Sequence, residues 1–190
     1  MNHKNILFKN FKLNKKTINT KKILTELLKE DNKILQSLST NYSDSYTKKS
    51  LSKYKNFKNI RIIGMGGSSL GTRAIHSFLK HKIKKKLIFF DNLQANRIKD
   101  NRKHLNLIIS KSGNTLETIV NSNIYINKFD KNIFITENKK NYLHILADKL
   151  KSEIVHHNNY IGGRYSVLSE VGMLPADLMG LKPDHFRQFN

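Results

Sequence analysis

Five short apolar runs, each of strand length, recur along the chain from residue 59 onward. Within each run successive residues are apolar, a pattern typical of strands buried on both faces of a parallel sheet. Between the runs, apolar residues recur at helical spacing. We therefore predict a doubly wound α/β domain with a five-stranded parallel sheet. The predicted strands are Asn59–Gly66, Lys86–Asn92, Leu105–Ser110, Asn132–Glu137 and Glu153–His157, and the predicted helices lie within 69–81, 115–129 and 142–150.

The first 50 residues have a different pattern and are predicted to form an N-terminal helical segment, so that the α/β domain spans residues 51–190. Six apolar residues within 21–39 follow roughly helical spacing, which predicts an amphipathic helix packed on something larger. The polar stretch 41–57 predicts a connection that contains some helix. The six apolar residues are Ile23, Leu24, Leu27, Leu28, Ile34 and Leu35.

Composition excludes several classes of protein. A chain of 190 residues accommodates one main domain. It contains no cysteine, so disulfides, thiolate metal sites and cysteine nucleophiles are excluded. Lysines interrupt the N-terminal apolar residues too often for a secretory signal, and no run approaches the ~18 apolar residues of a membrane span. We therefore expect a cytoplasmic protein that has no membrane partner.

The formal net charge of +21 raises the question of a nucleic-acid partner. However, the lysines are spread from Lys4 to Lys182, and no aromatic-plus-basic recognition motif is present. This distribution favours a solvated basic surface that attracts small anions over a nucleic-acid site.

The first predicted strand runs into Gly64–Thr72, where three glycines within four positions precede two serines. Such a loop lets the backbone approach a ligand closely and leaves free N–H groups at a helix N-terminus. It differs from the dinucleotide-binding fingerprint because the third residue after Gly66 is Ser69, and no convincing acidic ribose partner follows beyond Asp91. Two interpretations stay open: an anion cradle, or a tight turn capped by Ser68 or Ser69.

The third predicted strand runs into Ser-Lys-Ser-Gly-Asn-Thr, residues 110–115, which include no apolar residue. If the strands take the flavodoxin-like order, the first and third strands flank the point where the order reverses, and their loops form a ligand crevice. Ser110, Ser112 and Thr115 would then offer hydroxyl donors, and Thr115 would open a helix whose dipole favours an anion. A phosphate monoester fits these donors better than the alternative, a helix cap that needs only one hydroxyl. Lys111 points either at the ligand or outward.

A third loop follows the last predicted strand. Gly162 and Gly163 allow a tight turn from which Arg164 emerges, and Ser166 or Ser169 can cap the next helix. A guanidinium fixed there carries a permanent charge that can stabilise a developing oxyanion. On its own, the residue pattern favours a structural ion pair for Arg164.

Together the three loops resemble those of the phosphoglucose isomerase family, the glucose-6-phosphate isomerases. The segments IIGMGGSSLG, IISKSGNTLET and GGRYSVLSEVGMLPA occur in the family's order. The third segment is specific to this isomerase among sugar-isomerase domains, whereas the first two are shared more widely. The resemblance implies that residues 51–190 form the first sugar-isomerase (SIS) domain, and that the substrates are glucose 6-phosphate and fructose 6-phosphate.

The same resemblance implies roles for individual residues. Arg164 matches the arginine that stabilises the enediolate while a carboxylate moves a proton between C2 and C1. No metal or organic cofactor is needed, and the complete enzyme is a homodimer. The positions that match phosphate-binding residues of the family are Gly67, Ser68, Ser110, Lys111, Ser112 and Thr115.

The chain also departs from the family's pattern. The catalytic glutamate of the family lies well downstream of the third motif, so a chain that stops at Asn190 is expected to be an N-terminal portion without the base. Glu117 and Glu170 do not match that base, and Glu170 stands where the family's pattern favours proline or a small residue. His156 and His157 are interpreted as the end of a strand. The alternative function is a stand-alone sugar-phosphate-binding regulatory module.

Overall fold

The computed structural model describes residues 17–93 and 102–188 and contains one five-stranded sheet. Its strands are β1 (Asn59–Ile63), β2 (Lys86–Phe90), β3 (Leu105–Ile109), β4 (Lys131–Glu137) and β5 (Glu153–His157). All neighbouring strands are parallel, and their order is β2-β1-β3-β4-β5. The predicted α/β class, the parallel sheet and the flavodoxin-like order are confirmed.

Helices connect and cover the strands. The described residues form α1 (Thr17–Leu27), α2 (Lys33–Gln36), α3 (Lys48–Leu51), α4 (Gly67–Phe78), α5 (Leu116–Tyr125), α6 (Tyr142–Lys149), α7 (Glu170–Leu178) and α8 (Pro183–Arg187). Short 3-10 helices span Ser52–Tyr54, Lys80–Lys82 and Gly163–Leu168. The three helices predicted between strands are therefore present as α4, α5 and α6.

Apolar side chains on the two faces of the sheet form two separate buried clusters. On one face, Ile62 of β1 and Leu107 of β3 share a cluster with Leu174 of α7. On the other face, Ile108 of β3 and Phe134 of β4 pack with residues of α5 and α6. Each such side chain contributes about 1.5–3 kcal/mol when it is fully buried. This double coverage explains why the strand sequences are apolar at successive positions.

The N-terminal segment differs from its prediction. The predicted helix within 21–39 is broken into α1 and α2, because the Asn32 side chain accepts from the Ile34 N–H and caps a second helix. Ile23, Leu24 and Leu28 are 62%, 51% and 64% exposed, so the described part of the chain does not provide the packing partner that we expected for α1. Residues 1–16 of the predicted segment lie outside the described residues.

The connection after α2 is attached to the domain through side chains. It contains α3, as the predicted helical content required. The Asp44 carboxylate accepts from Arg187 of α8 at 2.7 and 3.1 Å, and the Tyr42 hydroxyl donates to Glu170 of α7 at 2.8 Å. Leu51 is fully buried in the same core cluster as β1 and β3. The segment therefore packs on the side of the sheet that α7 covers.

A buried ion pair joins β1 to the start of β4. Arg61 Nη1 donates to Asp130 Oδ2 at 3.1 Å and to the Tyr125 carbonyl at 2.8 Å, although Arg61 is only 3% exposed. Asp130 also accepts from the His104 backbone N–H at 3.0 Å and from the Asn106 side-chain amide at 3.1 Å. These bonds satisfy the carboxylate at the amino-terminal edge of the sheet, opposite the ends of the strands that lead into the three loops.

We expect Asp130→Ala to lower the free energy of unfolding by about 3–5 kcal/mol, because the Arg61 guanidinium would stay buried without its carboxylate. Urea unfolding followed by circular dichroism measures the change. Asp148→Ala, at an exposed position on α6, is the matched control and should change stability by less than about 0.5 kcal/mol. Equal effects of the two substitutions would contradict a structural role for the buried pair.

Candidate functional site

The loops after β1 and β3 lie side by side at the carboxyl edge of the sheet, because these strands are neighbours in the sheet. Between them is a cleft of about 300 Å³. This position is the point where the strand order reverses, the usual ligand site of open α/β sheets. The cleft is lined by Met65, Gly67, Ser68, Lys111, Ser112, Thr115, Glu137 and Gly163.

Five of the six predicted phosphate-binding positions line this cleft, namely Gly67, Ser68, Lys111, Ser112 and Thr115. The sixth, Ser110, is buried, and its hydroxyl lies 2.8 Å from the Thr115 hydroxyl. The structure therefore brings the two predicted loops together. Glu137, at the end of β4, also lines the cleft. Sequence reasoning placed Glu137 only at the end of a strand.

The first loop enters α4 without a capping side chain. Gly66 precedes the helix at φ +56°, and neither it nor a neighbouring serine provides a cap. Ser69 lies inside the first turn, where its hydroxyl donates to the Gly66 carbonyl at 3.3 Å. The interpretation that Ser68 or Ser69 caps a simple turn is therefore wrong. The cleft lies at the N-terminus of α4, where Gly67 and Ser68 line it.

The second loop enters α5 in the same manner. Thr115 occupies the N-cap position, but its side chain does not cap the helix and pairs with Ser110 instead. By contrast, Asn141 caps α6 and Ser169 caps α7 through their side chains. The alternative of a single capping hydroxyl at this loop is therefore wrong. An anion between α4 and α5 would meet the positive ends of two helix dipoles.

Contacts with the end of β4 and with the loop between β4 and α6 hold the second loop in place. The Lys111 carbonyl accepts from the Glu137 N–H at 3.0 Å and from the Thr136 hydroxyl at 3.1 Å. Gly113 adopts φ +66°, and a Cβ there would overlap the Asn141 side chain, so only glycine fits. Asn141 thus caps α6 and packs against the loop, a role that sequence reasoning missed.

The Lys111 ammonium links the second loop to the segment before the third. Its Nζ donates to the Asn159 carbonyl at 2.5 Å while the side chain lines the cleft. Lys111 therefore neither points freely outward nor depends on a ligand for its position. It brings a positive charge to the wall of the cleft that Ser112 and Thr115 also line.

The third loop closes one side of the cleft. Gly163 lines it, and a Cβ at Gly67 would overlap the Gly163 carbonyl, so the first and third loops touch through their backbones. Ser166 reinforces the contact by donating to the Gly163 carbonyl at 2.8 Å, with a second contact to the Gly67 carbonyl at 3.3 Å. Ser169, one of the two predicted caps, accepts from the Val171 N–H and begins α7.

Arg164 directly follows Gly163 and is exposed. It forms no ion pair with any residue in 17–93 or 102–188, so the structural ion pair that the pattern favoured is absent from the described part of the chain. Arg164 is not among the cleft-lining residues. Its role toward an oxyanion stays a prediction, as do the roles of the six phosphate-binding positions.

Behind the third loop, Glu170 and His157 form a buried pair. Glu170 is 0% exposed, and its Oε1 lies 2.5 Å from His157 Nδ1. Burial acts to raise the pKa of Glu170, but the hydrogen bond and charge of His157, with the Tyr42 hydroxyl, outweigh it and hold the pKa below its usual 4.5. Burial and the Glu170 charge raise the pKa of Tyr42 far above its usual value. His157 ends β5 as predicted, but its contact with Glu170 was missed.

Other kinds of site are not evident in the described residues. Within 17–93 and 102–188, no three His, Asp or Glu side chains come together in the manner of a metal centre. In the same residues, no helix combines the length and the apolar character needed to cross a bilayer.

Comparison with known proteins identifies the family that these loops resemble. The model of the phosphoglucose isomerase family matches residues 9–189. The chain belongs to this family. The probable glucose-6-phosphate isomerase of Methanococcus maripaludis is 36% identical over 140 residues, covering 64% of this chain and 32% of that protein. The chain thus spans about a third of the length of this phosphoglucose isomerase relative.

Solved structures support the fold. A hypothetical protein of Thermus thermophilus superimposes with a TM-score of 0.68 at 23% identity, covering 88% of this chain and 44% of that one. Tagatose-6-phosphate ketose/aldose isomerase from Escherichia coli superimposes with a TM-score of 0.53 at 15% identity, covering 73% of this chain and 44% of that one. The fold of this phosphoglucose isomerase family member is therefore that of the sugar-isomerase domains.

We expect Gly67→Ala to destabilise the protein by about 1–3 kcal/mol, because the added methyl group would push apart the first and third loops. Urea unfolding measures the loss. Gly162→Ala is the matched control: its Cβ would lie 3.5 Å from the nearest Tyr165 atom, an ordinary contact. It should change stability by less than about 0.5 kcal/mol. A tolerated Gly67→Ala would show that the two loops are not in contact.

A carboxyl group with a lowered pKa stabilises the fold above its usual pKa of 4.5, and this contribution is lost as the pH falls through the lowered value. We therefore expect Glu170→Gln to be less stable than wild type at neutral pH, with a difference that shrinks as the medium is acidified below 4.5. Urea unfolding at a series of pH values measures it. Glu26→Gln, at an exposed carboxyl of α1, is the matched control.

Proposed function

We propose that this chain is the phosphate-binding part of a glucose-6-phosphate isomerase, which interconverts glucose 6-phosphate and fructose 6-phosphate. The observation that carries the proposal is the cleft between α4 and α5, where two helices begin without capping side chains. Hydroxyls and a lysine ammonium surround the same space. Membership in the phosphoglucose isomerase family supports the choice of substrate.

The phosphate of the substrate binds at the two helix N-termini. Gly67 and Ser68 contact it from α4, where the glycine lets the backbone approach closely. Ser112 and Thr115 supply hydroxyls from the second loop, and Lys111 supplies charge. Ser110 acts through Thr115, because its own hydroxyl is buried and bonded to that of Thr115.

The sugar extends from the phosphate toward the third loop, on which Arg164 is exposed. As a carboxylate base removes the C2 proton, negative charge develops on the enediolate oxygens, and the guanidinium stabilises it until the proton is returned at C1. Over the whole reaction one hydrogen moves from C2 to C1 and the hydroxyl proton moves from O2 to O1, so atoms and charge balance without an added cofactor.

None of the carboxylates near the cleft is assigned as the base. Glu170 is fully buried and occupied by His157, and Glu137 does not match the family's catalytic glutamate. We therefore propose that residues 1–190 bind sugar phosphate without turning it over. In the complete enzyme, which we place in the cytoplasm as a homodimer, another segment supplies the base.

The alternative proposal is a sugar-phosphate-binding regulatory module that works without a catalytic half. Both proposals require phosphate binding in the same cleft. They differ in catalysis, because only the isomerase gains turnover when a segment carrying the base is present.

We expect the chain to bind fructose 6-phosphate and inorganic phosphate, and the double variant Ser110→Ala/Thr115→Ala to lose about tenfold or more in affinity for both. The two hydroxyls bond each other, so removing both at once leaves no unpaired hydroxyl behind. The fold should therefore be retained. Isothermal titration calorimetry measures the affinities. Thr25→Ala/Ser52→Ala, at exposed hydroxyls outside the cleft, is the control.

Unchanged affinity in the cleft variant would contradict a phosphate site at this position. A coupled assay of fructose 6-phosphate conversion, run on the same protein, tests the missing base. Robust turnover by residues 1–190 would contradict the proposal that the base lies elsewhere.

A further inference from the structure

The Glu170–His157 pair, defined above, contacts the chain just before the third loop. His157 Nε2 lies 3.1 Å from the carbonyl oxygen of Ile161, and Ile161 is 0% exposed. The next residues are Gly162, Gly163 and Arg164. The imidazole thus spans the gap between the first residue of α7 and the start of the turn that carries Arg164.

Both contacts of the His157 ring are made with acceptor groups. Nδ1 faces a Glu170 carboxylate oxygen, and Nε2 faces a backbone carbonyl. Nε2–H satisfies the carbonyl, and one further proton, shared between Nδ1 and Glu170, makes the second contact a hydrogen bond. With that proton the buried pair is neutral overall and satisfied at both ends.

Glu170 itself is fixed from several directions. Oε1 also accepts from the Asn158 N–H at 3.3 Å, and Oε2 accepts from the Tyr42 hydroxyl at 2.8 Å. The Asn158 side-chain amide donates to the same Tyr42 oxygen at 2.8 Å. Glu170 opens α7, in which every residue is buried. The carboxylate is therefore a rigid support rather than a mobile side chain.

We propose that Glu170 and His157 are positioning residues that fix the Gly162–Arg164 turn, so that Gly163 closes the cleft and Arg164 is held beside it. The inference deepens the proposed function and rests on it for the role of Arg164. The turn contacts the phosphate-binding end of α4 through the backbones of Gly163 and Gly67, so the position of the turn also affects that end of the helix. Neither positioning residue touches the substrate.

Two variants test the positioning role. His157→Phe/Glu170→Ala removes both buried polar groups together, which avoids leaving an unpaired charge that would prevent folding. Glu170→Gln is the conservative variant: its amide can donate to Nδ1 while Nε2–H still donates to Ile161. Ile133→Val, a core change in β4, controls for a general loss of stability of about 0.5–1.5 kcal/mol.

The first measurement is amide hydrogen exchange by NMR. The Tyr165 N–H donates to the Gly162 carbonyl at 2.9 Å and reports whether the turn is closed. We expect its exchange to accelerate by about tenfold or more in the double variant, and by less than about twofold in Glu170→Gln and Ile133→Val. Unchanged exchange of the Tyr165 N–H in the double variant would overturn the proposal, independently of any change in ligand affinity.

The second measurement compares two ligands by calorimetry. Inorganic phosphate reports the phosphate site alone, whereas arabinonate 5-phosphate adds a carboxylate that stands in for the enediolate oxygens. We expect the double variant to lose about tenfold in affinity for the aldonate but less than about twofold for phosphate. Arg164→Ala should cause the same loss, and combining it with the double variant should add nothing further.

The outcomes separate the two proposals. If wild type binds neither ligand, the proposed function of this chain fails, while hydrogen exchange still decides whether the pair fixes the turn. If the turn opens but the ratio of the two affinities is unchanged, the pair does not present Arg164 to the substrate, and that part of the inference is overturned.

Discussion

Ile62 and Ile63 of β1 pair in parallel register with Leu107 and Ile108 of β3, so both strands end at the same level of the sheet. After β1 the chain moves outward to β2, and it then returns to the other side of β1 as β3. As a result, α4 lies on the face of the sheet that α7 covers, and α5 lies on the opposite face. The loops after β1 and β3 consequently diverge, and the cleft is the space between them.

The two helices that begin at this cleft, α4 and α5, are less well satisfied at their first turns than α6 and α7. Asn141 and Ser169 cap α6 and α7, whereas α4 and α5 have no capping side chain. A missing cap typically costs about 0.5–2 kcal/mol. At α5 a threonine occupies the cap position, but its side chain does not cap the helix because the Thr115 hydroxyl pairs with Ser110. An anion between the helices would supply the missing acceptor to both.

The sequence predicted the strands and the cleft more fully than the contacts around it. Apolar runs of strand length located all five strands, and the strand order brought the glycine-rich and hydroxyl-rich loops together. By contrast, Glu137 at the end of β4 and Asn141 in the loop after it lie near the second loop in space but far from it in sequence. Such side-chain contacts leave no periodic signal. The break between α1 and α2 is caused by the cap at Asn32, which the spacing of the apolar residues did not predict.

Glu170 shows how a residue that breaks a local rule can indicate a long-range contact. A carboxylate at the start of α7 is favourable for the helix dipole, but burying it costs several kcal/mol unless a partner compensates. His157 and Tyr42 provide that compensation from β5 and from the N-terminal connection. The same contacts join both segments to the turn that carries Arg164. Because Glu170 and His157 are buried, removing one would leave the other unsatisfied, so the contacts constrain one another. The geometry of the third loop therefore depends on residues that the loop's own sequence does not contain.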